Sequence, residues 1–118
     1  MFEVLVNGNI TEYLLWDISQ VIGRAIVAEQ KNNVKIKLIN VINFRRGEGL
    51  GSMLLDRVVY DFGDRDIITT TFSSRVSWYE RRGFIKMAEK NSIVEMFRKG
   101  SRGESAEVSV SSRASAIY

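Results

Sequence analysis

The segment Phe44-Arg45-Arg46-Gly47-Glu48-Gly49-Leu50-Gly51-Ser52-Met53-Leu54-Leu55 constrains the fold more than any other part of the chain. Ahead of it, Val34–Ile42 is a β-branched, mostly apolar run that reads as a strand. Behind it, Leu50, Met53, Leu54, Val58 and Phe62 recur at helical spacing, and Gly63 stands where a C-terminal cap belongs. A strand therefore enters a glycine-rich turn, and the turn opens a helix. Glycines at 47, 49 and 51 let the backbone turn tightly and leave no Cβ in front of its N–H groups. The first turn of a helix carries unpaired N–H groups and a partial positive charge, which suits phosphate. Arg45 and Arg46 add fixed cations able to pair with phosphate oxygens. Together these features read as a pyrophosphate cradle, although a plain strand-to-helix turn with surface arginines fits the same residues. The spacing G-x-G-x-G departs from the dinucleotide fingerprint, and no acidic residue ends the next strand. A Walker loop would need Gly-Lys-Ser or Gly-Lys-Thr, which is missing.

Composition narrows the chemistry. With no Cys there is no thiol nucleophile, disulfide or thiolate metal site, and with no His there is no imidazole base. No carboxylate cluster has metal-ligand spacing, so no metal is expected. Chemistry is left to Tyr, Ser, Lys, carboxylates, backbone amides or water. A net charge of +3 is too mild to imply specific nucleic-acid binding, yet a basic patch would suit an anionic ligand. No apolar run is long enough to span a bilayer and no secretory leader opens the chain, so a cytoplasmic protein without membrane contact is the expectation.

At 118 residues the chain reads as one domain. Phe2–Val6 alternates as a strand, and Asn7-Gly8-Asn9 is a turn signal. Ile10–Ile18 reads as a second strand, with a short helix as the alternative. Val21–Glu29 and Val34–Ile42 form an antiparallel pair around a polar turn at Gln30–Asn33. Ile67–Phe72 should lie parallel to Val34–Ile42, joined through the helix. Ser73 or Ser74 caps a short helix over Arg75–Arg82 that Gly83 closes. Phe84–Ala88 and Ser92–Arg98 make a hairpin around Glu89–Asn91. The architecture predicted is α/β: a mixed sheet of about six or seven strands flanked by two helices, over residues 1–99. In residues 100–118 Ser is frequent, large apolar residues are few and no period is visible. Such a tail cannot bury enough surface to offset its ordering entropy, and is expected to stay flexible unless a partner holds it.

Arg46-x-x-Gly49-x-Gly51 followed by an apolar helix resembles the acyl-CoA-binding motif of the GNAT superfamily of N-acetyltransferases. A second block, Trp78-Tyr79-Glu80-Arg81-Arg82-Gly83-Phe84, resembles that family's downstream aromatic-Tyr-Glu-basic-x-Gly-Phe signature. The resemblance spans residues 22–98 and implies a GNAT-like fold. It further implies that Val41, Ile42 and Asn43 offer backbone groups to a pantetheine arm. The N–H groups of Arg46, Gly47, Glu48, Gly49, Leu50, Gly51 and Ser52, with Arg45 alongside, would hold the pyrophosphate. Asn43 stands where the family often has Pro.

By the same resemblance, Tyr79 matches the tyrosine that serves many members as general acid; the alternative is a packing residue with its ring buried. Family members often carry a Glu on the strand corresponding to Val34–Ile42, where this chain has Lys35 and Lys37. Glu29 is a conceivable base but reads better as a solvated hairpin residue. Only the first 20 or so residues precede the matching region, so the helical wall that normally covers the acceptor groove is reduced. That opening should meet a second copy or a partner protein. Two function classes follow. One is transfer of an acetyl group from acetyl-CoA to an amine, on a small molecule or a protein; the other is an inactive GNAT-like module used in an assembly.

Overall fold

The computed structural model describes residues 1–42, 47 and 49–101. Asn43, Phe44, Arg45, Arg46, Glu48 and the tail from residue 102 lie outside the described residues, and with them four of the expected ligand-binding positions. Seven strands form one mixed sheet: β1 (Phe2–Asn7), β2 (Ile10–Asp17), β3 (Gln20–Glu29), β4 (Val34–Val41), β5 (Ile67–Phe72), β6 (Ile85–Lys90) and β7 (Ile93–Arg98). Their spatial order is β1-β2-β3-β4-β5-β7-β6. Helix α1 (Leu50–Phe62) connects β4 to β5, and the short α2 (Val76–Glu80) connects β5 to β6. Only β4 and β5 run parallel, as a helical connection requires; every other neighbour is antiparallel.

The patterning explains the layers. In β2 the residues Thr11, Tyr13 and Leu15 are buried while their neighbours are half-exposed, the period-2 signature of a sheet covered on one face. Ile10–Asp17 is thus a strand, and Ile18, with φ of 57°, begins the turn instead of extending it. Leu54 and Leu55 of α1, with Val58 three to four residues on, bury completely in one core cluster with Tyr13, Val27, Val34 and Ile67. The Tyr13 hydroxyl donates to Asp61 Oδ2 at 2.7 Å, and the Arg57 guanidinium, paired with Asp61 at 3.0 Å, lies over the Phe2 and Tyr13 rings. Polar groups therefore fasten the outer edge of α1 to β1 and β2.

Gly63 stands at the C-cap of α1 as expected, at φ of −68°, and a Cβ there would sit 2.4 Å from the Val59 carbonyl oxygen. Three other local expectations need correction. Neither Ser73 nor Ser74 caps α2, because Ser73–Arg75 forms a 3₁₀ turn first and the helix opens on Arg75 with no side-chain cap bond. The second helix is accordingly five residues long, not eight. The β6–β7 turn falls at Asn91 and Ser92, both at positive φ as a two-residue hairpin turn demands, and β6 begins at Ile85, with Phe84 buried in the core before it.

Chain packing continues past β7. The Gly100 N–H donates to Asp66 Oδ1 at 2.8 Å and the Ser101 N–H to the Gly63 carbonyl at 3.1 Å. A Cβ at Gly100 would lie 2.4 Å from the Arg65 backbone, so glycine is needed there for close approach. No helix among the described residues is long and apolar enough to cross a membrane.

Candidate functional site

Strand β4 is held differently on its two sides. Against β3 it pairs from Val34 to Val41, with one irregularity: Ile36 faces Val27 and Leu38 faces Ile26, leaving Lys37 as the extra residue of a bulge. Against β5 the ladder lasts only for Val34–Ile67, Lys35–Ile68 and Ile36–Thr69. The Thr69 hydroxyl donates to the Ile36 carbonyl at 3.1 Å and closes that ladder where the strands part. Beyond this point the two strands diverge around an open crevice of about 480 Å³ lined by Ile36–Asn40, Thr69–Phe72, Arg75 and Tyr79.

A second crevice of about 360 Å³ adjoins it, since Ile39, Asn40 and Arg75 border both. Its wall brings together Val41, Gly47, Gly49, Leu50, Gly51 and Ser52 from the sequence-predicted set, with Ser74 and Trp78 opposite. Gly47 and Gly49 have φ of 92° and 79°, a conformation that strains residues with a Cβ, and Gly49 occupies the N-cap of α1. A glycine cap has no side chain to satisfy the first N–H groups, and no acidic residue stands in the first turn. Gly49 itself thus leaves the electropositive end of α1 without a side-chain cap. Ile42 is not part of this wall; its N–H donates to the Ile22 carbonyl at 3.0 Å and its side chain packs on the core.

The second sequence block builds the facing wall. Trp78 Nε1 donates to Ser52 Oγ at 3.0 Å, and Arg82 pairs with Asp56 at 3.0 Å while its guanidinium lies 5.3 Å from the Trp78 ring centre. Trp78 and Arg82, four residues apart, thus fasten α2 to α1 across the crevice. Gly83, at φ of 91°, ends the turn and lets Phe84 fold back into the core. Tyr79 lies edge-on between Trp78 and Phe84, with ring centres 4.9 and 5.2 Å away, and is only 5% exposed. Burial raises its phenol above the ordinary value of 10, against the opposing influence of Thr69 and Arg75. The group therefore stays protonated at neutral pH and beyond, and Tyr79 borders the wider crevice.

Of the other charged candidates, Glu29 is committed elsewhere: it pairs with Arg65 at 3.0 Å, and Arg65 also donates to the Gln30 and Asn33 carbonyls, fixing the β3–β4 turn. Lys37 borders the crevice, whereas Lys35 lines a separate cavity with Glu95. Sequence reasoning missed Arg75, Ser74, Asn40 and Thr69. Thr69 is one of three successive threonines and nothing in the sequence singles it out; the others depend on how far β4 and β5 diverge.

No family model and no curated protein matches this sequence. Solved structures do match. Escherichia coli ElaA is similar at a TM-score of 0.67 and 19% identity, over 79% of this chain and 70% of that one. The PaiA N-acetyltransferase of Thermoplasma acidophilum, solved in complex with coenzyme A, gives 0.65 and 17% over 76% and 60%. A GNAT family acetyltransferase from Elizabethkingia anophelis, with acetyl-CoA bound, gives 0.64 and 15% over 76% of each chain. These likenesses show that the chain has the fold of the GNAT acetyltransferases.

Proposed function

We propose that the chain is an acyl-CoA-dependent N-acetyltransferase, moving an acetyl group from acetyl-CoA to an amine. One observation carries the reading: two adjoining crevices, which share Ile39, Asn40 and Arg75, reach from the glycine-capped end of α1 to Tyr79 where β4 leaves β5 after Ile36. The residues fit such a donor along its length. The turn has no Cβ at 47, 49 and 51 to obstruct a diphosphate, and the N–H groups opening α1 suit its charge. Arg45 and Arg46 would add cations there. A narrow, largely extended arm suits the gap between β4 and β5, where strand edges offer backbone partners.

The chemistry is attack by an amine nitrogen on the thioester carbonyl carbon. The C–N bond forms, the C–S bond breaks, the amine loses a proton to solvent, and the sulfur leaves with the pair of electrons. Tyr79 is suited to give that sulfur a proton, since burial keeps its hydroxyl protonated. Among the described residues no carboxylate borders the crevice, so water is the natural carrier of the amine's proton. That same feature is what favours the second reading, an inactive module that binds in an assembly.

Release of CoA thiol from acetyl-CoA across a panel of primary amines tests the proposal. Turnover with at least one amine is expected. A protein that binds CoA and acetylates none of them would favour the binding module.

A further inference from the structure

The wider crevice has a charge character of its own. Lys37 and Arg75 both border it, both are exposed, and neither makes an ion pair with another described residue. Lys37 is also the residue that pairs with neither neighbour: the bulge removes it from the β3 ladder, and the β5 ladder has ended one residue earlier. A bulge re-aims its side chain and bends the strand, so this lysine stands at the mouth of the gap for a structural reason. The remaining polar groups are Asn40, the hydroxyls of Thr69, Thr70 and Thr71, and Tyr79. The nearest strand carboxylate, Glu95 opposite Thr70, borders the separate cavity that holds Lys35.

We infer that the amine acceptor carries a carboxylate close to its amino group, held by Lys37 and assisted by Arg75. The inference rests on reading this crevice as the transfer site, and it adds the acceptor class. Two cations with no ion-pair partner among the described residues disfavour polyamines and lysine-rich peptides and attract a free amino acid or a comparable amino carboxylate. The threonine hydroxyls supply neutral donors for the second carboxylate oxygen.

Equilibrium titration separates this from the activity itself. The full chain, saturated with CoA, is titrated with N-acetylalanine, N-acetylalaninamide and N-acetylputrescine, which stand for anionic, neutral and cationic products. The acid should bind about tenfold or more tightly than the amide, the effect of a charge-assisted hydrogen bond, with the cation weakest. Lys37→Gln should remove that preference while leaving the amide and CoA unchanged, and Lys37→Arg should retain it. Equal binding of acid and amide, or no binding of either, overturns the inference. So does a Lys37→Gln variant that loses only CoA affinity, which would assign the lysine to the donor's phosphates. If the wild type fails to bind CoA, the transferase reading falls, and the acid-against-amide comparison without CoA still decides the carboxylate preference.

Discussion

The two sides of β4 behave as different materials. Toward β3 the strand is paired over seven residue positions, and the helix above that side packs fully buried leucines onto it. Toward β5 it is paired over three, and the strands then separate around space bordered by threonines, a lysine, an arginine and a tyrosine. The contrast teaches that one edge of the strand is given to packing while the other is left open, the edge where the proposed chemistry would lie. The closed edge fixes where β4 runs, which allows the open edge to leave backbone and side chains unpacked at a defined place. Substitutions on the two edges should therefore separate cleanly into loss of fold and loss of function.

The largest effect is expected on the open side. Tyr79→Phe keeps the ring between Trp78 and Phe84, so unfolding and CoA affinity should change little. Turnover should fall by about 10²–10⁴-fold, the contribution of a positioned general acid. Wild-type rates in this variant would make Tyr79 a packing residue and blur the contrast.

Leu54→Ala acts on the closed side. Leu54 is fully buried with its Cδ1 near Gly23 of β3, so truncation should cost about 2–5 kcal/mol in denaturant unfolding. The folded fraction should keep its CoA affinity. Tyr13→Phe, also on the closed side, removes the hydroxyl that bonds Asp61 and should cost about 1.5–3 kcal/mol.

Tyr13 and Tyr79 also give the fold an alkaline limit. Burial raises both phenols above the ordinary value of 10, for Tyr13 reinforced by Asp61. Above pH 10 the unfolded chain therefore holds fewer protons than the native one, and the slope of stability against pH is negative. Their contribution is complete below pH 10 and lost as pH rises through the native values. Urea midpoints that stay level well above pH 10 would contradict this, and Tyr13→Phe should flatten the decline.

Gly51→Ala is expected to have the smallest effect on stability and the opposite sign. A Cβ there meets Trp78 at 3.6 Å, an ordinary contact, so the helix should gain about 0.5–1 kcal/mol. The methyl also sits on the crevice wall, so CoA affinity should drop while the melting temperature rises.

Much of this was legible in the sequence, for identifiable reasons. Helical spacing from Leu50 to Phe62 is a local signal of burial, and local signals survive in one dimension; Ile10–Ile18 mixes apolar and polar residues without a clean period, and its alternating burial as a strand emerges only in the fold. The glycine turn and Trp78–Phe84 were legible as blocks, and Gly47, Gly49 and Gly51 border one crevice together with Trp78. The cap of α2 was not, because Ser73 and Ser74 satisfy the signal for a cap while the chain tightens into a 3₁₀ turn. Arg75 was not either. Its importance comes from standing where two crevices meet, a property set by the divergence of β4 and β5 and not by its neighbours in sequence.

The central claim, that the open edge of β4 and the end of α1 form a CoA site, is tested most directly by calorimetric titration of the full chain with CoA. Saturable binding is predicted, weakening as salt rises because the ligand is polyanionic. Arg46→Ala should weaken it further by about 1.5–3 kcal/mol, the value of a hydrogen bond between charged groups. Absence of heat together with an unchanged melting temperature at millimolar CoA would contradict the account.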